Sequence, residues 1–597
     1  MRHGLVPATL HVDEPSPHVD WSAGAVTLAT EPMPWPETGR PRRAAVSSFG
    51  ISGTNAHAII EQAPAATPAR PERRRTTLPG LVAADAVPLP VSARSARALR
   101  DQAARLRDHL AERPDLDLVD LGHSLATGRA HHPYRQVVVA ADRDDALAGL
   151  ATLVEADHHA SVGDGTPKVV FVFPGQGSQW AGMALDLLDS SPVFRSRMEE
   201  CAAELSRLTD WSIEDVLRGA PDAPAMDRVD VVQPLLFSVM VSLAEVWKAC
   251  GVRPDAVIGH SQGEIAAACA AGALTLPDAM RLVVARSRGL LAISGLGGMV
   301  SVPLSAADTA QLIEPWADTL SVAALNGASV TVVSGDAPSV TELLATCAER
   351  GIRARQIAVD YASHCGHVEA VREDLAGALG MIESHPTEVA FHSTVTGELV
   401  DTTELDADYW YRNLREPVRL APVVDALIAA GYRTFVEVSP HPVLKVVVQD
   451  ALDRAAADPD QPSAAGQPGV VVGSLRRDEN GPREILAALG GLYTAGVPVD
   501  WAALFAGSGA TRVDLPTYAF QRERFWPEAA TWRAGDVSGA GLAAPGHPLL
   551  GAAVRLAGDG GVVLTGRLSV STHPWLADHV VSGSVVVPGT ALVELVV

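Results

Sequence analysis

The sequence predicts an α/β protein built on a mainly parallel sheet, with a small ferredoxin-like insert. Three observations carry that expectation. Twice an apolar run meets a glycine turn and then a helix-like stretch. Residues 168–174 (KVVFVFP) lead into GQGSQW, and 255–258 (DAVI) lead into GHSQGEIAAACAAGAL. Strand, turn and helix recurring in that order is the pattern of parallel-strand folds. Between Gly297 and about 360 the order changes to β-α-β-β-α-β, the sequence of elements in a ferredoxin-like unit. Finally, 597 residues are long enough for about four domains at roughly 150 residues each.

The elements follow in chain order. Residues 1–64 are glycine-broken, with one short strand-like run, AHAII, and read as the tail of a folded unit. Residues 64–74 (PAATPARPERR) read as a linker. From about 87 to 160 the pattern is a small α+β domain. A helix is expected over 96–111, with Leu99, Leu106 and Leu110 on one face, a second over 118–127, and a strand over 133–141. The main domain follows, with a long apolar helix over 232–250. In the insert, helices are expected at 306–316 and 337–349, and its sheet leaves one face for the main domain. Residues 458–468 (DPDQPSAAGQP) read as a loop, 475–505 as one or two helices, and 515–529 as an aromatic-rich strap. The last fifty residues are a fresh start that stops in the opening of an apolar helix, which leads us to expect a domain cut short.

Composition excludes several classes. Net charge is −23, from 47 basic and 70 acidic residues, and disfavours nonspecific nucleic-acid binding. Five scattered cysteines form no C-x-x-C pair, so a reducing, cytoplasmic setting is expected rather than a disulfide framework. No run of 18 apolar residues predicts a membrane span, and the N-terminus lacks a signal-type apolar core. No cysteine and histidine spacing predicts a metal site.

The chemistry is expected at GHSQGE. A serine framed by glycines after a strand is either an ordinary tight turn or a nucleophile elbow, which lifts the hydroxyl clear of the sheet. The small residues of EIAAACAAGAL let a helix pack close behind, and a helix N-terminus favours a developing anion. Ser261 then needs a base. His260, His364, His367 and His441 all qualify, and spacing does not choose among them. Arg286, on the apolar stretch MRLVVARSRGLL, is either half of an internal salt bridge or a grip for a substrate carboxylate.

These residues together resemble a modular type I polyketide synthase. GQGSQW, GHSxGE, an arginine about 25 residues on and a late x-A-x-H stand in the order of that family's acyltransferase domain. The resemblance implies a ketosynthase tail at 1–64, an α+β linker domain at 65–165 and an acyltransferase at 166–450 with its ferredoxin-like subdomain at about 297–360. A post-acyltransferase linker at 451–530 and the start of a hot-dog dehydratase at 545–597 would follow. The acyltransferase core would be α/β-hydrolase-like. Carried over, Ser261 is the nucleophile, His364 its general base, and the backbone N–H groups of Gln176 and Gln262 the oxyanion hole. Arg286 pairs with the carboxylate of the extender.

Tyr361, Ala362, Ser363 and His364 form YASH, resembling methylmalonyl-selective members, where malonyl-selective ones tend to carry HAFH. Gln262 and the upstream RVDVVQP (228–234) agree. Replacing a bulky Phe by Ser363 makes room for an α-methyl, a difference of about 1 to 3 kcal/mol. The implied substrate is a coenzyme A thioester, with no bound cofactor. The implied partners are an acyl carrier protein bearing phosphopantetheine and the rest of the ketosynthase and dehydratase. A backbone carbonyl, with no acidic third residue, would orient the histidine.

The flanks carry further expectations. Tyr518, Phe520, Phe525 and Trp526 are expected to anchor packing. His579, with Gly583 and Pro588, fits a dehydratase HxxxGxxxxP and would be its base, whereas His573 is expected to be structural. Cys365, beside the expected base, is either an inert buried thiol or an exposed reactive one. Competing readings are a serine hydrolase or thioesterase, a malonyl-selective transferase and a non-catalytic megasynthase piece.

Overall fold

The computed structural model describes all residues except 2, 51, 64–79, 83–85, 157–160, 164, 381, 459–468, 524–536, 559 and 597. The linkers expected at 64–74 and 458–468 fall almost wholly outside the described residues, as do Phe525 and Trp526. The chain forms two compact units, Met1–Ala519 and Phe520–Val597.

In the first unit, strands β1 (Arg43–Phe49) and β2 (Asn55–Glu61) make an isolated antiparallel hairpin with exposed faces. The α+β domain follows: β3 (Val87–Ala93), α1 (Ala96–Glu112), α2 (Leu118–Gly128), β4 (Tyr134–Ala140) and α3 (Arg143–Glu155). The sequence pattern did not reveal β3, because Pro88 and Pro90 argue against a strand. They are tolerated because they alternate on a strand that pairs only with β4, so their missing N–H groups share one unpaired edge. Helix α3 was not expected either. Asp142 caps its first turn through Asp145 N.

The main sheet holds β5 (Val169–Phe173), β6 (Ala256–Gly259), β7 (Ala390–His392), β8 (Leu399–Val400), β9 (Thr434–Glu437) and β10 (Val470–Gly473), taken here in chain order within the sheet. Their spatial order is β8-β7-β6-β5-β9-β10. All neighbours run parallel except the edge strand β8. Strand β10 lies beyond 450, between the loop expected at 458–468 and the helices expected at 475–505, where no element was expected. Its apolar VVV was the signal, and pairing with β9 completes the sheet.

Helix α4 (Val229–Ala249) packs behind the sheet. It is long and apolar enough to cross a membrane, yet it is almost entirely buried within the protein. Pro234 lies inside it, and Ser238 Oγ donates to the Pro234 carbonyl at 2.8 Å. Helices α5 (Gly263–Ala271) and α6 (Leu276–Leu291) pack against it.

The insert has the expected βαββαβ order. Its strands are Gly297–Val302, Leu320–Gly327, Val330–Asp336 and Arg355–Gln356, and its helices are Ala306–Ile313 and Ala337–Glu349. Numbered one to four, the strands lie in the spatial order 2-3-1-4, all antiparallel, which is the ferredoxin-like arrangement. Leu312, Leu343 and Val333 pack under its helices, while Ala323, Ala324 and Val332 face the core of the main domain.

After β10, the helix Gly481–Thr494 packs on β4, and residues 511–519 run back along α1 and α2. Tyr518 OH receives Arg94 N at 2.9 Å, and Ala519 N donates to Gln102 Oε1 at 2.9 Å. Phe520 departs from the expectation of a buried anchor: it is 66% exposed.

In the second unit, Ala552–Arg555 pairs with Val562–Thr565, and Val580–Val581 with Ser584–Val585. Ser582 and Gly583 both have positive φ, as a two-residue hairpin turn of this hand requires. Many apolar side chains here are exposed, among them Val563, Leu564, Val586 and Val593.

Candidate active site

Strands β5 and β6 are parallel neighbours, with Phe173 opposite Gly259. Their C-terminal loops therefore open side by side, where ligands bind in open parallel sheets. One loop carries Gln176 and the other Ser261 and Gln262. His260 N donates to the Phe173 carbonyl at 2.8 Å, which ties the two loops together.

The glycines of GHSQGE are required by space. An added Cβ on Gly259 would lie 2.1 Å from Glu264 N, and one on Gly263 2.1 Å from the Phe173 carbonyl oxygen. Between them Ser261 sits at φ 54°, a left-handed conformation uncommon outside glycine. The turn is an elbow, and its helix starts one residue after Gln262.

Ser261 Oγ lies 2.8 Å from His364 Nε2. His364 Nδ1 lies 2.7 Å from the Glu416 carbonyl oxygen, which can only accept. Nδ1 therefore carries the proton, and the Nε2 lone pair faces the serine hydroxyl. His364 also has positive φ, 59°, held by its own N–H to the Leu414 carbonyl. Burial, then the charge of Arg286, pushes the imidazole down to about 3, so it is neutral near pH 7.

The rival histidines point elsewhere. His260 Nε2 pairs with Asn326 Oδ1 at 2.8 Å, His367 Nε2 with Asp336 Oδ1 at 2.6 Å, and His441 Nδ1 accepts from Arg477 N at 3.2 Å.

Arg286 is 3% exposed. Its Nη2 donates to Ser261 Oγ and its Nη1 to Asn413 Oδ1, both at 2.7 Å. Among the described residues it forms no ion pair, so the internal salt bridge is absent, and its Nε has no partner. Burial pushes it down to about 10, which still leaves it cationic at neutral pH.

A cleft of about 200 Å³ joins these groups. Gln176, Gln233, Gln262, Tyr361 and Ser363 line it, with Met299 and Val443 among its apolar wall. Tyr361 OH donates to Gln176 Oε1 at 2.9 Å and accepts from Gln233 Nε2 at 3.4 Å. Burial pushes that phenol up to about 12. Ser363 Oγ contacts Met299 Sδ at 3.6 Å, and Ala362 is fully buried behind it. Both amide atoms of Gln262 and the Oε1 of Gln233 are buried without partners. Such orphans cost about 1–3 kcal/mol each, which a polar ligand would relieve. The backbone N–H groups of Gln176 and Gln262 likewise donate to no described group. Cys365 is buried, its thiol donating to the Ala362 carbonyl, and burial pushes it up; it is not an exposed reactive thiol.

Asn413 was not singled out from the sequence; Gln233 and Glu264 stood unremarked inside the quoted RVDVVQP and GHSQGE, and the resemblance implied a backbone carbonyl behind the histidine without placing it at Glu416. Nothing in the motif shows that Glu264 is buried with donors on both of its oxygens.

In the second unit His579 is exposed, with Nδ1 against the Val586 carbonyl at 2.8 Å. His573 bonds locally, to Thr572 Oγ1 at 2.9 Å.

Comparison with known proteins fits this geometry. Residues 170–499 match the acyl transferase domain family, and the chain belongs to that family. On either side, residues 15–139 match the ketoacyl-synthetase C-terminal extension and 547–597 the polyketide synthase dehydratase domain. This is the domain order of a modular polyketide synthase, and 170–499 are its acyltransferase domain. The whole chain is 53% identical to part of polyketide synthase GfsB of Streptomyces halstedii, spanning 11% of that protein. The acyltransferase domain from module 8 of the salinomycin polyketide synthase matches with 50% identity and TM-score 0.65, covering 70% of this chain and 98% of that one. The acyltransferase domain of SpnD, solved with 2-(pent-4-yn-1-yl)malonyl, matches with 30% identity and TM-score 0.62, covering 71% of this chain and 98% of that one.

Proposed function

We propose that this domain loads an extender unit bearing a free carboxylate, methylmalonyl, from coenzyme A onto Ser261, and then onto the phosphopantetheine thiol of an acyl carrier protein. The observation that carries this reading is Arg286, a buried cation without an ion pair among the described residues, which touches the serine hydroxyl. A buried charge left unpaired is costly, and a bidentate carboxylate is the partner a guanidinium best accommodates. The relative solved with a substituted malonyl supports the same substrate class.

The Ser261 Oγ–H attacks the thioester carbonyl while His364 Nε2 takes the proton. The oxyanion rests on the N–H groups of Gln176 and Gln262. The carbon–sulfur bond breaks, the thiolate takes the proton from His364, and free coenzyme A leaves an ester on Ser261. The carrier thiol then attacks that ester, giving its proton to His364, which returns it to Ser261. Tyr361, Ala362 and Ser363 shape the wall beside the α-carbon. The small Ser363 leaves room for a methyl group, which favours methylmalonyl over malonyl by about 1–3 kcal/mol.

The test is intact mass after incubation with malonyl-, methylmalonyl- and propionyl-coenzyme A, followed by carrier protein. The expected result is a methylmalonyl adduct on Ser261, absent in Ser261→Ala, that moves to the carrier. Release of free acid without transfer would make the domain a hydrolase, and a stronger malonyl adduct would overturn the extender assignment.

A further inference from the structure

Arg286 and the Glu264 carboxyl are both buried, share one neighbour and yet form no ion pair; burial pushes the Glu264 carboxyl up, against the lowering effect of the hydrogen bonds it accepts. That neighbour is Asn413, 2% exposed, on the helix Ala407–Arg415. Its Oδ1 accepts from Arg286 Nη1 at 2.7 Å. Its Nδ2 donates to Glu264 Oε2 at 2.8 Å and to the Ser261 carbonyl at 3.2 Å. Glu264 is occupied on its other sides. Thr394 N donates to Oε1 at 2.5 Å and Tyr409 OH to Oε2 at 2.8 Å, while Thr394 Oγ1 lies 2.9 Å from Oε1 and 2.7 Å from the Gly259 carbonyl, which share its one proton.

An amide so placed has a definite electrostatic effect. The Glu264 carboxyl oxygen polarises the donor end of Asn413, and the Asn413 carbonyl dipole then stabilises the guanidinium. A direct carboxylate contact would instead take the bidentate face of Arg286 and cancel its charge. With Asn413 between them, Arg286 stays charged inside the protein, its Nε remains unpartnered, and its Nη2 faces the serine. The same amide pins the carbonyl of the elbow serine, so guanidinium and nucleophile share one anchor.

We propose that Asn413 is a positioning residue for extender selectivity. It links the buried Glu264 carboxyl to Arg286 without letting it pair with the guanidinium, and so leaves the guanidinium open to a dicarboxylic acyl group. This rests on the reading of Arg286 as the carboxylate grip.

The test compares Ser261 acylation by methylmalonyl- and propionyl-coenzyme A in the full chain, for wild type, Asn413→Asp, Asn413→Ala and Arg286→Ala. Asn413→Asp keeps the shape and supplies a direct partner to Arg286. It should lower the methylmalonyl-to-propionyl ratio of kcat/KM about 10-fold or more, the scale of a charged hydrogen-bond partner. Asn413→Ala, which loosens the guanidinium without neutralising it, should lower the ratio less, and it carries the test if the aspartate variant does not fold. A merely structural role would lower both substrates equally and leave the ratio unchanged in both variants, which would overturn the inference. If Arg286→Ala lowers the ratio and neither Asn413 variant does, the inference falls and the reading of Arg286 stands. If Arg286→Ala leaves the ratio unchanged, both fall.

Discussion

His364 and His579 both sit in motifs that mark a general base, and the structure treats them differently. His364 is 2% exposed, fixed at Nδ1 by a carbonyl and at Nε2 by a serine hydroxyl. His579 is exposed on a short hairpin, with one bond to a backbone carbonyl seven residues on. The contacts of His364 come from the β6 elbow and from the segment 414–416, roughly 50 to 100 residues away in the chain. Those of His579 are local. A motif supplies the imidazole, but remote parts of the chain supply the low-dielectric walls that set its protonation.

The largest effect that would break this comparison is removal of the buried imidazole. His364→Ala should slow Ser261 acylation by about 10²–10⁴-fold, followed by intact mass against time. Near-normal acylation would make the buried environment incidental. Next is the support beneath the serine. Gly263→Ala places a methyl group against the Phe173 carbonyl. It should cost about 1–3 kcal/mol or more, read as a lowered unfolding midpoint, and should suppress acylation as the elbow shifts.

A smaller effect sharpens the electrostatic half. Because His364 is depressed to about 3 by burial and then by Arg286, its neutral form persists well below the usual histidine range. The acid limb of acylation due to this group should therefore lie far below pH 6.5, and kcat/KM should stay flat from pH 8 to 5.5. Arg286→Ala removes a cation that disfavours imidazolium, so the limb should move up in pH. A shift downward would contradict the sign. The smallest effect is expected in the second unit, where His579→Ala should leave Ser261 acylation unchanged within error.

Much of the fold could be read in the sequence because strand, glycine turn and helix are local patterns. The βαββαβ order of the insert and the elbow at Ser261 both belong to this kind. Strand β3 could not, since its prolines are harmless only when pairing on one side is known. Strand β10 could not, since VVV declares itself only beside β9. At the site, Ser261, His364 and Arg286 stood in recognisable motifs and meet within hydrogen-bond distance. Spacing alone could not choose among four histidines, and only the family resemblance singled out His364; what turns His260 and His367 away is a competing partner, Asn326 or Asp336, visible only in the fold. Asn413 was out of reach for the same reason: its importance lies in standing between two residues distant in the chain, on no motif the sequence singled out.

The central question is whether the Arg286 guanidinium beside Ser261 grips the charged end of the acyl group. The direct measurement is the rate of Ser261 acylation by methylmalonyl- and propionyl-coenzyme A, thioesters that differ in that carboxylate, in wild type and Arg286→Ala. The expected loss for methylmalonyl is about 10- to 150-fold greater than for propionyl, the worth of a charge-assisted hydrogen bond. Equal losses for the two would contradict it.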